Sequence, residues 1–423
     1  MANGFNKEER VMFDELLAGF DDALVVSNLA VIHQADQTTM ERTNDVVWRP
    51  QPYIMTSNDG LDQSANFGDV VQLSVPSTVN TIKSSNWSMT VNELRDMMQE
   101  GRIRDAAKQR LSSDINIAAN STVCNLGSIV SKRGSTPTGF DDVAELDSLC
   151  NERGIDMVDR YVAYQSRAYN AMAGDLAKRQ NMAGRPETAY GRALVGQNIA
   201  GFDVFKMDYG PRLAAATATG VTINGAGQRY VPKSTVASPN GGQVNVDNRF
   251  QTISLTVTGA GVKAGDAFTI AGVNAVHHIT KQDTGQLKTF RIVSQATGSA
   301  GGTGTYVVTP PIISADSAPT AAEKQYQNCT AAPAAGAAVT FLNTAAAGIN
   351  PFWKKDALEI MPGRMPWPSG AGVDVARGTT DQGFELVMVK FVDGKTGKVG
   401  FRVDTKFGVN LLNTEMAGIQ LFV

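Results

Sequence analysis

The spacing of apolar positions changes period several times along this chain. Asn6-Lys7-Glu8-Glu9 has capping-box spacing, and Val11, Leu16, Leu17, Phe20, Leu24, Val25, Leu29 and Ile32 follow at helical intervals. Segment 1–45 is therefore expected to carry one amphipathic helix, either docked on its own chain or reaching out as an arm. From Val46 to Val91 the pattern becomes extended: Val46-Val47-Trp48-Arg49-Pro50 ends one strand, Asn58-Asp59-Gly60 is a turn, and Val70, Val71, Leu73 and Val75 make another strand-like run. So few apolar residues among so many polar ones build no core of their own, which predicts a projecting β-hairpin over 46–91. Thr90-Val91-Asn92-Glu93 is a second capping box. Behind it Leu94, Met97, Met98, Ile103, Ala107, Leu111, Ile115, Ala118 and Ala119 predict a single long helix in 92–135, with Gly101 as the place for a kink. At 1.5 Å per residue it would reach about 40 Å.

Segments 136–216 and 348–383 alternate helix and strand as an α/β unit. Phe140 to Arg153 reads as a helix with Asp141 and Asp142 in its first turn and Gly154 as its C′ residue. Met157 to Tyr164 is strand-like, and Ser166 caps a helix running to Arg179. The alternation resumes at Phe352-Trp353-Lys354 and Leu358-Glu359-Ile360. In 384–423, Phe384–Val392 and Lys398–Val409 are two strands joined at Asp393-Gly394-Lys395-Thr396-Gly397.

Residues 217–347 differ from both flanks. They hold 13 of the chain's 79 charged residues, about 10% against about 23% elsewhere, where a globular domain averages about 25%. Turn signals at Asn224-Gly225, Asn240-Gly241-Gly242, Gly259, Gly265-Asp266, Gly272, Gly285 and Gly298 to Gly304 divide short β segments, which predicts an inserted antiparallel barrel or sandwich. Val244, Val246 and Phe250 share one parity, whereas Ile253, Leu255 and Val257 share the other. A bulge or turn therefore belongs between Asp247 and Phe250.

Composition narrows the function. At 423 residues the chain is expected to form two or three domains. A net charge of −3 excludes a strongly basic nucleic-acid binder or a polybasic membrane patch. Cys124, Cys150 and Cys329 are odd in number and far apart, as expected of reduced thiols. The N-terminal residues lack the apolar region of a signal peptide, and the run Ala331–Leu342, broken by Pro333 and Gly336, is too short to span a bilayer. A soluble intracellular product is expected, with no membrane partner.

No pattern for catalysis, cofactor binding or metal binding emerges. Gly394-Lys395-Thr396 lacks the upstream glycine of a P-loop, since Val389 stands there, and a hairpin turn explains it. Neither a nucleophile elbow nor a zinc HExxH is present. His277-His278 would point to opposite faces of a strand and chelate no common ion, so structural roles are expected for both and for His33. Asp21-Asp22 and Asp141-Asp142 diverge by about 100° on a helix. The glycines at 298, 301, 302 and 304 precede a strand rather than the helix N-terminus a phosphate cradle needs. A charge-poor, multi-domain chain with projecting elements is instead built to contact copies of itself.

Val244-Asn245-Val246-Asp247-Asn248-Arg249-Phe250, followed by Thr252 and Ser254-Leu255-Thr256, resembles the major capsid (coat) protein of short-tailed phages of enteric bacteria, the Salmonella-phage type with an inserted domain. Val262-Lys263-Ala264-Gly265-Asp266 leading to Ala271-Gly272-Val273 resembles the same insert. Val47-Trp48-Arg49-Pro50, Glu93-Leu94-Arg95-Asp96, Ala200-Gly201-Phe202-Asp203 and Phe407-Gly408-Val409-Asn410 follow the family's order over nearly the whole chain. The resemblance implies an α+β fold, the tailed-phage (Hong Kong phage type) major capsid fold with an inserted antiparallel β-barrel domain. It implies an N-terminal arm in 1–45, an extended loop in 46–91, a peripheral-domain spine helix in 92–135 and an axial domain in 136–216 and 348–383. The inserted barrel would occupy 217–347, and 384–423 would supply peripheral-domain and hinge strands.

The same resemblance implies a shell of hexamers and pentamers of this chain, built in the host cytoplasm with scaffolding and portal proteins. That virion shell would enclose double-stranded DNA without reading its sequence. The family's acidic loop before the Val-Asn-Val-Asp segment makes intersubunit ion pairs, but Ala237-Ser238-Pro239-Asn240-Gly241-Gly242-Gln243 carries no charge here. Asp247 and Arg249 remain as local charged candidates for intersubunit contact, beside Trp48, Asn58 and Asp59 of the extended loop. The alternative from a binding class is a glycan- or surface-binding module in the insert, whose uncharged Asn, Thr and Gly loops suit sugars. A hydrolase rests only on scattered carboxylates, and the insert argues against a cargo-enclosing bacterial compartment.

Overall fold

A computed structural model describes residues 7–18, 20, 24–34, 46–57, 59–64, 67–90, 93, 97–178, 194–207, 209–297, 301–316, 318–367, 373–393 and 395–423. In chain order it begins with α1 (Lys7–Ala18), a 3-10 turn at Ser27–Leu29, β1 (Val31–Ile32), β2 (Val46–Pro50), β3 (Ser74–Thr78), β4 (Thr81–Thr90), α2 (Met97–Leu126) and β5 (Ile129–Arg133). Then come α3 (Phe140–Arg153), β6 (Arg160–Gln165), α4 (Ser166–Lys178), β7 (Leu194–Ile199), β8 (Phe202–Met207) and β9 (Arg212–Leu213). The insert holds β10 (Thr222–Ile223), β11 (Thr235–Ala237), β12 (Gln243–Asn245), β13 (Gln251–Val257), β14 (Ala267–Val276), β15 (Asp283–Thr297), β16 (Gly302–Thr309), α5 (Ala321–Tyr326) and β17 (Val339–Phe341). The chain closes with β18 (Ala347–Lys354), β19 (Leu358–Gly363), β20 (Val373–Thr379), β21 (Glu385–Asp393), β22 (Lys398–Leu411) and β23 (Ala417–Phe422). Two compact units result: Met1–Val47, Ser77–Asn120 and Leu358–Asn410 form the first, and Trp48–Pro76, Ser121–Ala357 and Leu411–Val423 the second.

The first unit is built on the sheet β1-β19-β22-β21-β20, with β4 also paired to β22. β21 is buried on both faces from Glu385 to Val389, β22 buries Phe401 and Val403, and α1 and α2 bury Phe13, Leu16, Leu111 and Ile115. Lys390 reaches the buried Glu9 at 2.7 Å, so the charged residue of α1 nearest the sheet is paired rather than stranded. The single N-terminal helix expected to reach Ile32 ends at Ala18. Val31 and Ile32 instead pair in parallel with Glu359 and Ile360, and apolar spacing alone does not separate these outcomes. The capping residue Asn6 lies outside the described residues. The 46–91 hairpin also resolves differently: β2 pairs with β3, while β4 turns away to run antiparallel to β22 from Thr81↔Phe407 to Thr90↔Lys398. The Thr90 N–H donates to the Glu93 carboxylate at 2.8 Å, the first half of the expected capping box, and α2 then runs 30 residues, unbroken at Gly101. The hairpin of β21 and β22 pairs from Asp393↔Lys398 inward, and its central Gly394 lies outside the described residues.

The second unit contains two sheets of different character. Its seven-stranded sheet runs β5-β23-β18-β6-β8-β7, with β9 on β18, and mixes parallel (β5–β23, β6–β8) and antiparallel pairs. Phe352, Val162, Tyr164 and Phe202 from this sheet pack with Leu146 and Cys150 of α3 and Tyr169 and Met172 of α4. Asp142 caps α3 by accepting the Thr138 and Gly139 N–H groups at 2.6 and 3.1 Å, and Gly154 ends the helix in the left-handed region at φ 78°. A side chain on Gly154 would also meet the His277 ring at 2.7 Å. Leu358–Ile360, read from sequence as part of this α/β alternation, belongs instead to the first unit's sheet.

The insert is a six-stranded sheet in the order β10-β13-β16-β15-β14-β17. Its ends approach one another: Ile223 N–H donates to Ala337 O and Val339 N–H to Val221 O, both at 3.0 Å, giving a barrel-like form. Gln251, Ile253, Leu255 and Val257 all face inward on β13, and Phe268 stacks on Phe290 at 5.7 Å. The predicted parity break falls at a turn on Asn248 and Arg249, between β12 and β13.

Candidate functional site

Two surfaces of the second unit are built from chain segments with exposed apolar residues. The first is segment 51–70, between β2 and β3, whose described residues form no strand. Tyr53, Met55, Leu61, Phe67 and Val70 are all exposed, Leu61 at 104% and Phe67 at 87% of full accessibility. Single exposed apolar residues are ordinary, but here five fall within eighteen residues of one segment. Trp48 sits half-buried on β2, and Asp59 is exposed with its carbonyl oxygen accepting from Gln63 Nε2 at 3.1 Å. Asn58 lies outside the described residues.

The second surface is the hairpin β11–β12. All six strand residues are exposed, and Val236 pairs directly with Val244, which places both valines on one face. Its tip is held by Ser238 N–H to Gly242 O at 3.1 Å and Gly241 N–H to Ser238 O at 3.0 Å, with Gly241 and Gly242 at φ 84° and 86°. No residue from Ser234 to Val246 carries charge. The hairpin therefore offers backbone edges and two valines, not ions.

Asp247 and Arg249 stand at the base of this hairpin and are brought together. Arg249 forks onto the Asp247 carboxylate at 2.7 and 2.9 Å, donates through Nη1 to Leu411 O at 2.8 Å, and lies 5.2 Å from the Phe250 ring centroid. The pair thus spends its hydrogen bonds inside its own chain. Asn248 between them is buried and fully employed: its Oδ1 accepts from Tyr230 OH (3.0 Å) and Lys233 N–H (3.1 Å), and its Nδ2 donates to Lys233 O (2.9 Å) and Val246 O (3.0 Å). Sequence reasoning passed over Asn248. Its only signal was a polar residue at the parity break, where a turn must be tied.

The insert is seated by buried polar contacts together with an apolar cluster in which Ala267 and Leu342 pack with Val130, Ile349 and Leu421. Thr289 Oγ1 donates to Ser128 O at 2.8 Å and accepts from Val130 N–H at 3.3 Å, which bolts β15 to β5. Arg291, fully buried, donates to Cys124 O at 2.6 Å and Gly265 O at 3.1 Å. Lys288 is ion-paired with Glu415, which also accepts from Asn328 Nδ2 at 3.2 Å and lies 3.4 Å from His278 Nε2. Burial alone would raise the Glu415 carboxyl, but Lys288 and His278 outweigh it and hold the group well below the usual carboxylate range. His277 and His278 follow β14, His278 within a turn. Cys124, Cys150 and Cys329 are free and buried, and burial pushes each thiol up to about 12. Among the described residues, no group of three His, Cys, Asp or Glu is placed to hold a metal, and no helix is long and apolar enough to cross a membrane.

Comparison with solved structures returns chains from several phages. A chain titled "Mycobacterium phage Che8" is 8% identical with TM-score 0.43, the match covering 94% of this chain and 90% of that one. The capsid of cyanophage P-SCSP1u is 8% identical with TM-score 0.43, covering 95% and 88%. The coat protein I-domain of CUS-3 is 38% identical with TM-score 0.23, covering 29% of this chain and 95% of that domain. The family model described as P22 coat protein, gene protein 5, matches residues 1–423, and the chain belongs to that family.

Proposed function

We propose that this phage major capsid protein closes its icosahedral shell through segment 51–70 and the β11–β12 hairpin, with Asp247, Asn248 and Arg249 holding the hairpin's base. The carrying observation is the whole-chain family match, joined to the exposed Leu61, Phe67, Val236 and Val244. Repetition by symmetry lets many modest contacts add, so no single interface has to be strong. In this reading the arm in 1–45, the peripheral strands and the axial sheet carry the remaining contacts, and Trp48, Asn58 and Asp59 lie along a contact edge. The partners are further copies of the chain in hexamers and pentamers, a scaffolding protein and a portal protein. Double-stranded DNA is held without sequence preference, a role compatible with a chain of net charge −3 that lacks a phosphate-binding surplus. Assembly takes place in the host cytoplasm and the product is the virion shell. The test is expression with and without the scaffolding protein, followed by sedimentation and electron microscopy. Closed shells are expected with the scaffold, and a chain that stays monomeric in every condition overturns the proposal.

A further inference from the structure

We propose that the small cavity at the foot of the insert is a binding site for one monatomic anion of the halide class. Arg153 ends α3, His278 follows β14, Lys288 lies on β15, Asn328 follows α5 and Glu415 precedes β23, and together they line a cavity of about 10 Å³. The cations there outnumber the carboxylates. Arg153 is 7% exposed, and its guanidinium makes no hydrogen bond or ion pair with any described residue. Lys288 is 3% exposed and pairs with Glu415, whose single negative charge is shared with Arg153 and Lys281. Lys281, beside them, donates only to the neutral Gln327 O at 3.1 Å. His278 keeps Nδ1 buried with no hydrogen-bond partner among the described residues. Among the described residues, Glu152 is the other carboxylate acting on Arg153, and the nearby Cys329 thiol is held neutral by burial.

A guanidinium stays charged at neutral pH, and a buried one without hydrogen bonds is strongly disfavoured unless a counter-charge joins it. Burial indeed pulls the Arg153 pKa below its ordinary value. Water supplies hydrogen bonds but no charge, whereas an anion supplies both. Size sets the class: a cavity of about 10–15 Å³ takes one particle of water size. Chloride and bromide, a few tenths of an ångström larger in radius than water, need the side chains to yield by about that much, and phosphate, sulfate and carboxylates need a larger yield. A larger cavity of about 240 Å³ shares His278 and Glu415 in its wall. A halide held there would knot α3, the insert and the C-terminal segment, so the seating of the insert would depend on it.

The experiment compares thermal unfolding of the full chain in sodium chloride, sodium bromide and sodium gluconate at equal ionic strength. Chloride and bromide are expected to raise the midpoint saturably by roughly 2–5 °C, the size of shift an anion at about ten times its dissociation constant gives a unit of this length. Gluconate, too large for the cavity, is expected to give no rise. Bromide-grown crystals should show an anomalous peak at hydrogen-bond distance from the Arg153 guanidinium. Arg153→Met should abolish the halide dependence, while Lys263→Met, at an exposed site in the same insert, should keep it. Equal midpoints in chloride and gluconate, or bromide crystals without that peak, overturn the proposal and leave water as the occupant. The crystal measurement uses the unaltered protein, so it decides the matter even if Arg153→Met fails to fold.

Discussion

Asn248 shows how one side chain sets the direction of a hairpin. Its amide makes four hydrogen bonds to three neighbours, so Asn248→Ala leaves two buried carbonyls, one N–H and one phenol unpaired. The expected loss is about 2–4 kcal/mol in urea denaturation of the full chain. Asn248→Asp, nearly the same size, should lose a similar amount, because its carboxylate faces the Lys233 and Val246 carbonyls that Nδ2 now serves. Near-wild-type stability for Asn248→Asp would show that the donor half of the network is unimportant. Glu415 makes a different prediction, one of pH. Its folded pKa is depressed, so its contribution is present above the unfolded carboxylate value and is lost as pH falls through the folded one. Stability should therefore fall below about pH 4, and Glu415→Gln should flatten that acid limb. At neutral pH the same substitution strands Lys288 and should cost about 3–5 kcal/mol.

At the scale of elements, the exposed hairpin and the 51–70 segment should matter to assembly and little to folding. Val236→Asp with Val244→Asp is expected to leave the unfolding midpoint of the monomer within about 1 °C, since surface changes away from packed features stay within about 0.5 kcal/mol. Shell yield by sedimentation should drop severely. Leu61→Ser with Phe67→Ser should behave alike, and full shell yield from either pair would remove that element from the proposed interface. Because the hairpin carries no charge, its contribution should persist from 0.1 to 1 M salt, where ion pairs are screened to within about 3 Å. Elements defined by neighbours in sequence were legible from the amino-acid pattern alone. Both ends of α3, the β21–β22 hairpin and the parity break at Asn248 each have a local cause: a cap, a turn, a change of face. Elements defined by a distant partner were not. Val31-Ile32 becomes a strand only because Glu359-Ile360 lies beside it, and β4 leaves its expected hairpin because β22 offers ten paired positions. The Lys288–Glu415 pair is likewise invisible in sequence, since 127 residues separate its members.

At the scale of the molecule, the insert carries its own apolar core but borrows part of its polar completion. Phe268, Phe290, Ile253, Leu255, Tyr306 and Val308 bury one another without help from the flanking sheet. Arg291, by contrast, spends one guanidinium nitrogen on the Cys124 carbonyl, outside the insert, and one on Gly265, inside it. This asymmetry predicts that a fragment of residues 217–347 folds alone, and that Arg291→Met reads differently in fragment and full chain. In the full chain the substitution leaves the Cys124 and Gly265 carbonyls buried and unpaired and should cost about 2–4 kcal/mol. In the fragment the Cys124 carbonyl is gone and the end of the Arg291 side chain that served it faces water. There the same change should be neutral within about 1 kcal/mol. Urea denaturation of the four proteins measures the difference directly. Equal costs in both settings would mean that Arg291 serves the insert itself, and that the host sheet is not what its buried charge was placed to meet.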